Sequence, residues 1–420
     1  MEGERRVAVT GFGAITPVGE TAETTWQALL RGESGVSRIR AFDPSTYPAQ
    51  IAGQVDGYPM PRSVEGKEAR RLSRFIQFAL ATTEEALAHA RLDLARIERD
   101  RLGVLVGTGI GSLRTLEEGF ETIRDRGGTR LSPFFLPQML PNMAAGQVSK
   151  VFGARAYSST IITACAAGAQ AIGEAGEVIR RGDADVMIAL GTEASICETG
   201  LASFTALRAL STRNHEPDRA SRPFDRERDG LVPAEGAGAL ILEEWRHAVS
   251  RGAIIVAELV GYGCSSDAFH MVAPDPNGGG AALAMRRALA DAHVTCSSVD
   301  YINAHATSTP AGDLAETRAI RSVFGVHADR IPISATKSMV GHSMGAAGAI
   351  GALAAVLAIR DAKIHPTINQ DCADPECDLD YVPNTARTQD VSVALANAFG
   401  FGGQNVVLAF RRPESVAGGE

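Results

Sequence analysis

The chain is predicted to be an α/β protein with a largely parallel sheet and helices on both faces. Short β-branched, apolar runs alternate with small-residue helical stretches along most of its length. Two of those stretches also resemble each other. Residues 165–185 read Cys-Ala-Ala-Gly-Ala-Gln-Ala-Ile-Gly and then a helix running to Arg-Gly-Asp-Ala. Residues 341–362 read Gly-His-Ser-Met-Gly-Ala-Ala-Gly-Ala-Ile-Gly and then a helix ending in Arg-Asp-Ala. A reactive side chain heads each one, which points to an internal duplication with two helix starts converging on one site.

Taken in order, residues 7–10 form a buried strand running into Gly11-Phe12-Gly13. The third glycine of a dinucleotide fingerprint is replaced by Thr16, with Pro17 next, so a nicotinamide site is disfavoured. Residues 43–66 are irregular. A long amphipathic helix is expected over 67–91, with Leu72, Phe75, Ile76, Ala79, Leu80 and Leu87 on one face. Its start carries Lys67, Arg70, Arg71 and Arg74, which read either as a solvated face or as a patch for an acidic partner. A buried strand at 102–106 precedes an apolar, proline-punctuated insertion, 112–158. That insertion is expected to cover a pocket or a subunit interface.

The run 161–163 reads as a buried strand ending at Cys165, with a small-residue helix behind it. Cys165 thus lies at a helix N-terminus, where free N–H groups and the helix dipole favour a thiolate and lower its pKa. The alternative for a cysteine is a small buried hydrophobe. Strands follow at 184–190, 239–242, 254–262, 300–304, 391–396 and 406–410. The charge-dense stretch 219–238 reads as a solvated or salt-bridged loop leading into the sheet. His305 follows a strand, Lys337 follows another, and His342 heads the second small-residue helix. All stand where sites on α/β sheets form. A thiolate with two histidines suits attack on a thioester. Two neutral imidazoles can also each donate a hydrogen bond to an enolate formed by loss of a carboxylate.

Bulk properties narrow the rest. With 420 residues, 45 % hydrophobic and 21 % charged, the chain can bury a large core. A net charge of -8 disfavours a nucleic-acid-binding role. Six scattered cysteines fit free thiols in a reducing cytosol, and Cys372 and Cys377 lack further ligands at metal spacing. No signal-peptide core opens the sequence, and the apolar stretch 346–359 is too short to span a bilayer. The expectation is a soluble, cytoplasmic protein without membrane insertion or metal.

Five motifs in order carry a resemblance: TACAAGAQAIG at 163–173, SRPFDRERDGLVPAEGAG at 221–238, NAHATSTPAGD at 303–313, KSMVGHSMGAAG at 337–348 and NAFGFGGQN at 397–405. Over residues 5–412 the sequence resembles the elongating β-ketoacyl-acyl carrier protein synthases of the thiolase-like superfamily. The resemblance implies a duplicated, five-layered αβαβα fold with mixed, largely parallel sheets. Its halves would be 1–252, holding the insertion, and 253–412, with a flexible tail at 413–420. It implies that Cys165 accepts the acyl group, with an oxyanion hole from the N–H groups of Cys165 and Phe401. It implies that His305 and His342 bind the malonyl carbonyl and that Lys337, Asp313 and Glu316 support them.

Thr307 and Thr309 would bind pantetheine. Ile110 and Phe204 would line the acyl pocket, and Phe401 would gate it. Lys67, Arg70, Arg71 and Arg208 would dock acyl carrier protein. A homodimer is implied, and no cofactor beyond the carrier's phosphopantetheine. The expected reaction is decarboxylative condensation in fatty acid elongation. The alternatives are a polyketide ketosynthase and a non-catalytic chain-length partner; Cys165 argues against the latter. Thiolase chemistry on coenzyme A is disfavoured because His342 stands where thiolases carry a second cysteine. Ala306 replaces the family's usual Gly, and Gln404 its common Thr.

Overall fold

The computed structural model describes residues 5–414, so most of the expected tail lies outside the described residues. Ten strands form one continuous sheet. They are β1 (Val7–Ile15), β2 (Leu102–Gly107), β3 (Ser158–Ile161), β4 (Val186–Glu193), β5 (Gly236–Glu244), β6 (Ala257–Ser266), β7 (Tyr301–Asn303), β8 (Ile333–Ser334), β9 (Val393–Gly400) and β10 (Gln404–Arg411). Their order is β3-β2-β4-β5-β1-β6-β10-β9-β7-β8. Adding five to each label of the first half reproduces the second half in mirror order, as a duplication requires.

The pairing repeats as well. β2 runs parallel to β3 and β4, and β7 runs parallel to β8 and β9. β5 and β10 are antiparallel to both their neighbours. The halves join through a short antiparallel β1–β6 contact at Ala8–Glu258 and Val9–Ala257.

The seven helices that frame the sheet and the site are α1 (Arg74–His89), α2 (Leu113–Arg126), α3 (Met143–Phe152), α4 (Ala167–Arg180), α5 (Gly279–Asp291), α6 (Pro310–Phe324) and α7 (Ala347–Asp361). α1 and α3 cover the outer face of the first half, and α5 with α6 that of the second. α4 and α7 lie against each other between the halves and share one core with strands from both. The layers therefore run helix, sheet, helix, sheet, helix.

Small residues set that central contact. A Cβ built on Gly168 would stand 2.6 Å from the Gly345 carbonyl oxygen, and one on Gly348 would stand 2.7 Å from the Ala169 nitrogen. Side chains there would force the two backbones apart. α7 is buried from Ala347 to Ile359. Its Ile350, Leu353, Val356 and Leu357 each gain about 1.5–3 kcal/mol on burial. The stretch Met344–Asp361 is long and apolar enough to cross a membrane, but 89 % of it is buried inside the protein, as befits a core helix.

Several expected boundaries move. β1 continues through Gly11 and Gly13 to Ile15. A Cβ on either glycine would come within 2.3 Å of a carbonyl oxygen of α1. These glycines let helix and strand approach and do not form a phosphate loop. The helix expected over 67–91 is broken: a short turn, Gly66–Ala69, is separated from α1 by residues 70–73. Arg74 is not a surface charge, because its guanidinium pairs with the buried Glu235 at 2.8 Å.

The nucleophile strand ends at Ile161, and Ile162 is 56 % exposed rather than buried. The charge-dense stretch is largely internal. Arg222 is 2 % and Asp225 1 % exposed, and they pair at 3.0 Å.

Candidate active site

Four chain segments meet at the inner ends of α4 and α7. Cys165 sits on a single 3-10 turn, Ala164–Ala166, between β3 and α4. Ala164 is held at φ +49, a left-handed conformation costly for a residue with a Cβ. His342 stands just before the matching turn, Met344–Ala346, at the head of α7. Its backbone is fastened to the end of the charged stretch: its N–H donates to Val232 O at 2.7 Å, and its carbonyl accepts from Ala234 N–H at 2.9 Å. His342 Nε2 lies 3.0 Å from Cys165 Sγ. The His305 ring stands at 87° to that of His342, with centroids 5.6 Å apart. The two helix starts, one from each half, thus converge as the sequence predicts.

Around them a polar frame sets the His305 loop. Glu316 of α6 accepts the His305 N–H at 2.9 Å and the Ala306 N–H at 2.7 Å, and Asn397 of β9 donates to it at 3.0 Å. Ala306 has φ +34, where glycine carries no penalty, so its methyl adds strain beside His305. Asp313 accepts the N–H groups of Phe224 at 2.9 Å and Ser308 at 3.1 Å, with Arg228 at 3.7 Å. Thr307 and Thr309 share a 3.0 Å hydrogen bond, and Thr309 caps α6. The backbone N–H groups of Cys165 and Phe401 favour the ionised sulfur.

The electrostatics correct one expectation. Burial pushes the Cys165 thiol up to about 12, against the lowering by Lys337 and by the two N–H groups. Burial outweighs these lowering contributions, and the nearby Glu193 carboxyl adds to it. Burial, then the Lys337 charge, holds both histidines well below their ordinary value, so both rings are neutral near pH 7. Lys337, 4 % exposed, falls to about 8 by burial, with Glu316, Cys165 and Asp313 pulling it back up. Burial raises Asp313 to about 7 and also raises Glu316. Ring resonances of His305 and His342 should therefore show no titration between pH 6 and 8 in labelled-histidine NMR; a midpoint near 6.5 would contradict this electrostatic picture.

A cavity of about 350 Å³ opens on Cys165, His305 and His342. Phe204, Phe401, Thr307, Thr309 and Arg208 also line it. Ile110 does not reach that cavity. It packs into the apolar cluster behind Cys165, with Phe204 and Phe401. Lys67, Arg70 and Arg71 are exposed but do not line the cavity; Arg71 lies 5.6 Å over the Phe134 ring of the insertion. Arg208 alone of the four basic residues stands at the cavity. Among the described residues no group of three or more His, Cys, Asp or Glu side chains could hold a metal ion.

Sequence reading missed Glu193, Arg228 and Asn397. Glu193 ends a wholly buried strand, but one acidic residue after an apolar run gives no signal of that burial in sequence.

A thiol beside two neutral imidazoles and two N–H donors is suited to covalent acyl transfer. Comparisons agree with that chemistry. Residues 4–248 match the beta-ketoacyl synthase N-terminal domain, and residues 256–371 match the C-terminal domain. The chain is 46 % identical over 415 residues to 3-oxoacyl-[acyl-carrier-protein] synthase 2 of Staphylococcus aureus strain COL, covering 99 % of this chain and all of that one. It is 48 % identical over 409 residues to the synthase of the same name from Synechocystis, covering 97 % and 98 %.

Solved structures include a beta-ketoacyl synthase from Burkholderia phymatum, with a TM-score of 0.90 and 37 % identity over 98 % of this chain and all of that one. They also include a type II polyketide ketosynthase in complex with its acyl-carrier protein and bound to a hexaketide. That match has a TM-score of 0.90 and 38 % identity over the same shares. Both domain models, these full-length relatives and the shared architecture place the chain in the β-ketoacyl synthase family.

Proposed function

We propose that the protein extends acyl chains on acyl carrier protein by decarboxylative condensation, as a 3-oxoacyl-acyl carrier protein synthase of fatty acid elongation. The observation that carries this reading is the 3.0 Å contact between Cys165 and His342, with His305 beside it. In the first half-reaction, Sγ attacks the acyl thioester carbonyl. Its proton leaves through His342 to the departing pantetheine sulfur. The tetrahedral oxyanion lies toward the N–H groups of Cys165 and Phe401.

In the second half-reaction, the neutral imidazoles of His305 and His342 each donate an N–H to the malonyl thioester oxygen. The bond to the carboxylate breaks, carbon dioxide leaves, and its electron pair forms an enolate. That carbon attacks the acyl group on Cys165, the sulfur leaves as a thiolate that takes a proton from water, and a 3-oxoacyl-carrier protein results. Burial, with the Lys337 charge adding to it, keeps both rings neutral, and Glu316 fixes the His305 loop. Thr307 and Thr309 stand on the cavity wall where a pantetheine arm would enter. Nothing in this chemistry calls for a metal or a further cofactor.

The higher identity to the 3-oxoacyl synthases, against 38 % for the polyketide ketosynthase, favours the fatty-acid reading. We infer two halves divided near residue 252, a cytoplasmic location, and a homodimer. For the dimer, β3 is an edge strand flanked by exposed Tyr157 and Ile162, and the insertion before it exposes Phe134 and Leu136. Sedimentation should give twice the 44.1 kDa chain mass; a monomer at micromolar concentration would remove that inference.

Turnover tests the proposal. Acyl- and malonyl-carrier proteins should give 3-oxoacyl-carrier protein and carbon dioxide, faster than the same groups on free pantetheine. Reversing Arg208, or Arg70 with Arg71, should raise KM for the carrier in a salt-dependent way. Unchanged KM would return those arginines to a solvated surface.

A further inference from the structure

Glu193 places a carboxyl group where an apolar residue would simply fill the core. Its side chain is fully buried at the end of β4. Its carboxylate accepts the Gly109 N–H at 2.6 Å, the Gly345 N–H at 3.1 Å and the Thr108 hydroxyl at 3.3 Å. Burial raises the carboxyl to about 7, while these donors favour the ionised form. A buried carboxylate held only by neutral donors is costly, so its partners are the informative feature.

Those partners belong to two different parts of the site. Thr108, Gly109 and Ile110 follow β2, and Ile110 enters the apolar cluster with Cys165 and Phe204. Gly345 lies three residues beyond His342, in the turn that opens α7. The two backbones touch: a Cβ on Gly345 would stand 2.3 Å from the Gly109 nitrogen. Met344, at φ +48 in the same turn, packs into that apolar cluster.

We propose that Glu193 is a positioning residue that also sets acyl-chain specificity, by clamping the segment that carries Ile110 into the apolar cluster around Cys165 to the turn that follows His342. An acyl chain long enough to press on Ile110 then bears, through Glu193, on the segment that presents the imidazole. A short chain does not reach the clamp. The inference rests on the reading of Cys165 as the acyl acceptor.

Glu193→Gln tests it. The amide keeps the volume, but its neutral oxygen is a weaker acceptor than the carboxylate oxygen that the Gly109 and Gly345 N–H groups share, and its NH2 turns to the Thr108 hydroxyl. Loading of Cys165 from carrier proteins bearing short to long acyl chains is followed by intact mass, and malonyl decarboxylation is measured in parallel. Long-chain loading should slow about tenfold and short-chain loading less than about twofold, with decarboxylation reduced several-fold. A common factor across every chain length and both half-reactions would overturn the clamp and leave Glu193 as a folding residue.

Thr108→Val, which removes one donor and spares the carboxylate, should shift the profile in the same direction by about threefold. It serves if the first variant folds poorly; an unshifted profile there also overturns the clamp. Failure of the unaltered protein to acquire any acyl group on Cys165 would instead overturn the underlying reading.

Discussion

Cys165→Gln should lose condensation by at least about 10³-fold while malonyl-carrier protein is still decarboxylated, at or above the original rate. The loss is large because no other group in the cavity can hold the acyl chain. Decarboxylation survives because it needs only the two imidazoles and a bound malonyl thioester. The amide also occupies the volume beside His342 that an acylated sulfur fills during the second half-reaction, which is why the rate can rise. Product analysis with isotope-labelled malonyl-carrier protein separates the two outcomes, since acetyl-carrier protein accumulates in place of the 3-oxoacyl product. Retained condensation would mean that the nucleophile lies elsewhere.

His305→Ala combined with His342→Ala should remove decarboxylation by about 10³-fold or more, since one lost oxyanion donor of this kind costs about 10²–10³-fold. The pair acts as a unit on one oxygen, so the double variant should fall short of the product of the single losses. Acyl transfer to Cys165 should slow less, because the Cys165 and Phe401 N–H groups remain. Release of carbon dioxide from malonyl-carrier protein, measured apart from acyl loading, gives the reading. Unchanged release would contradict the donor-pair mechanism.

The site was more legible than the boundaries around it. Cys165, His305, Lys337 and His342 each follow a buried run or head a small-residue helix, and periodicity exposes that placement. The internal duplication shows in the same alternation, together with the likeness between 165–185 and 341–362, while the strand order itself comes only from the structure. What remained hidden depends on burial and on distant partners. The pair Arg222–Asp225 looks, in sequence, like any solvated charge cluster, yet it is internal. Ile162 looks like core, yet it lies exposed beside the edge strand.

The thiol was expected to be acidified by a helix terminus. Its desolvation, which no local pattern reveals, outweighs the lowering by Lys337 and by the two backbone N–H groups, and the shift is upward. Glu193 was invisible because one acidic residue after an apolar run is unremarkable until its three donors, from two parts of the chain, are seen to meet on it.

The central claim is that a sulfur and two imidazoles, brought together from both halves, handle one acyl group covalently. Intact-mass analysis after brief exposure to acyl-carrier protein without malonyl donor, followed by peptide mapping, tests it most directly. One acyl group per chain should appear on the peptide containing Cys165 and discharge when malonyl-carrier protein is added. An unmodified chain, or an acyl group on any of the other five cysteines, would contradict it.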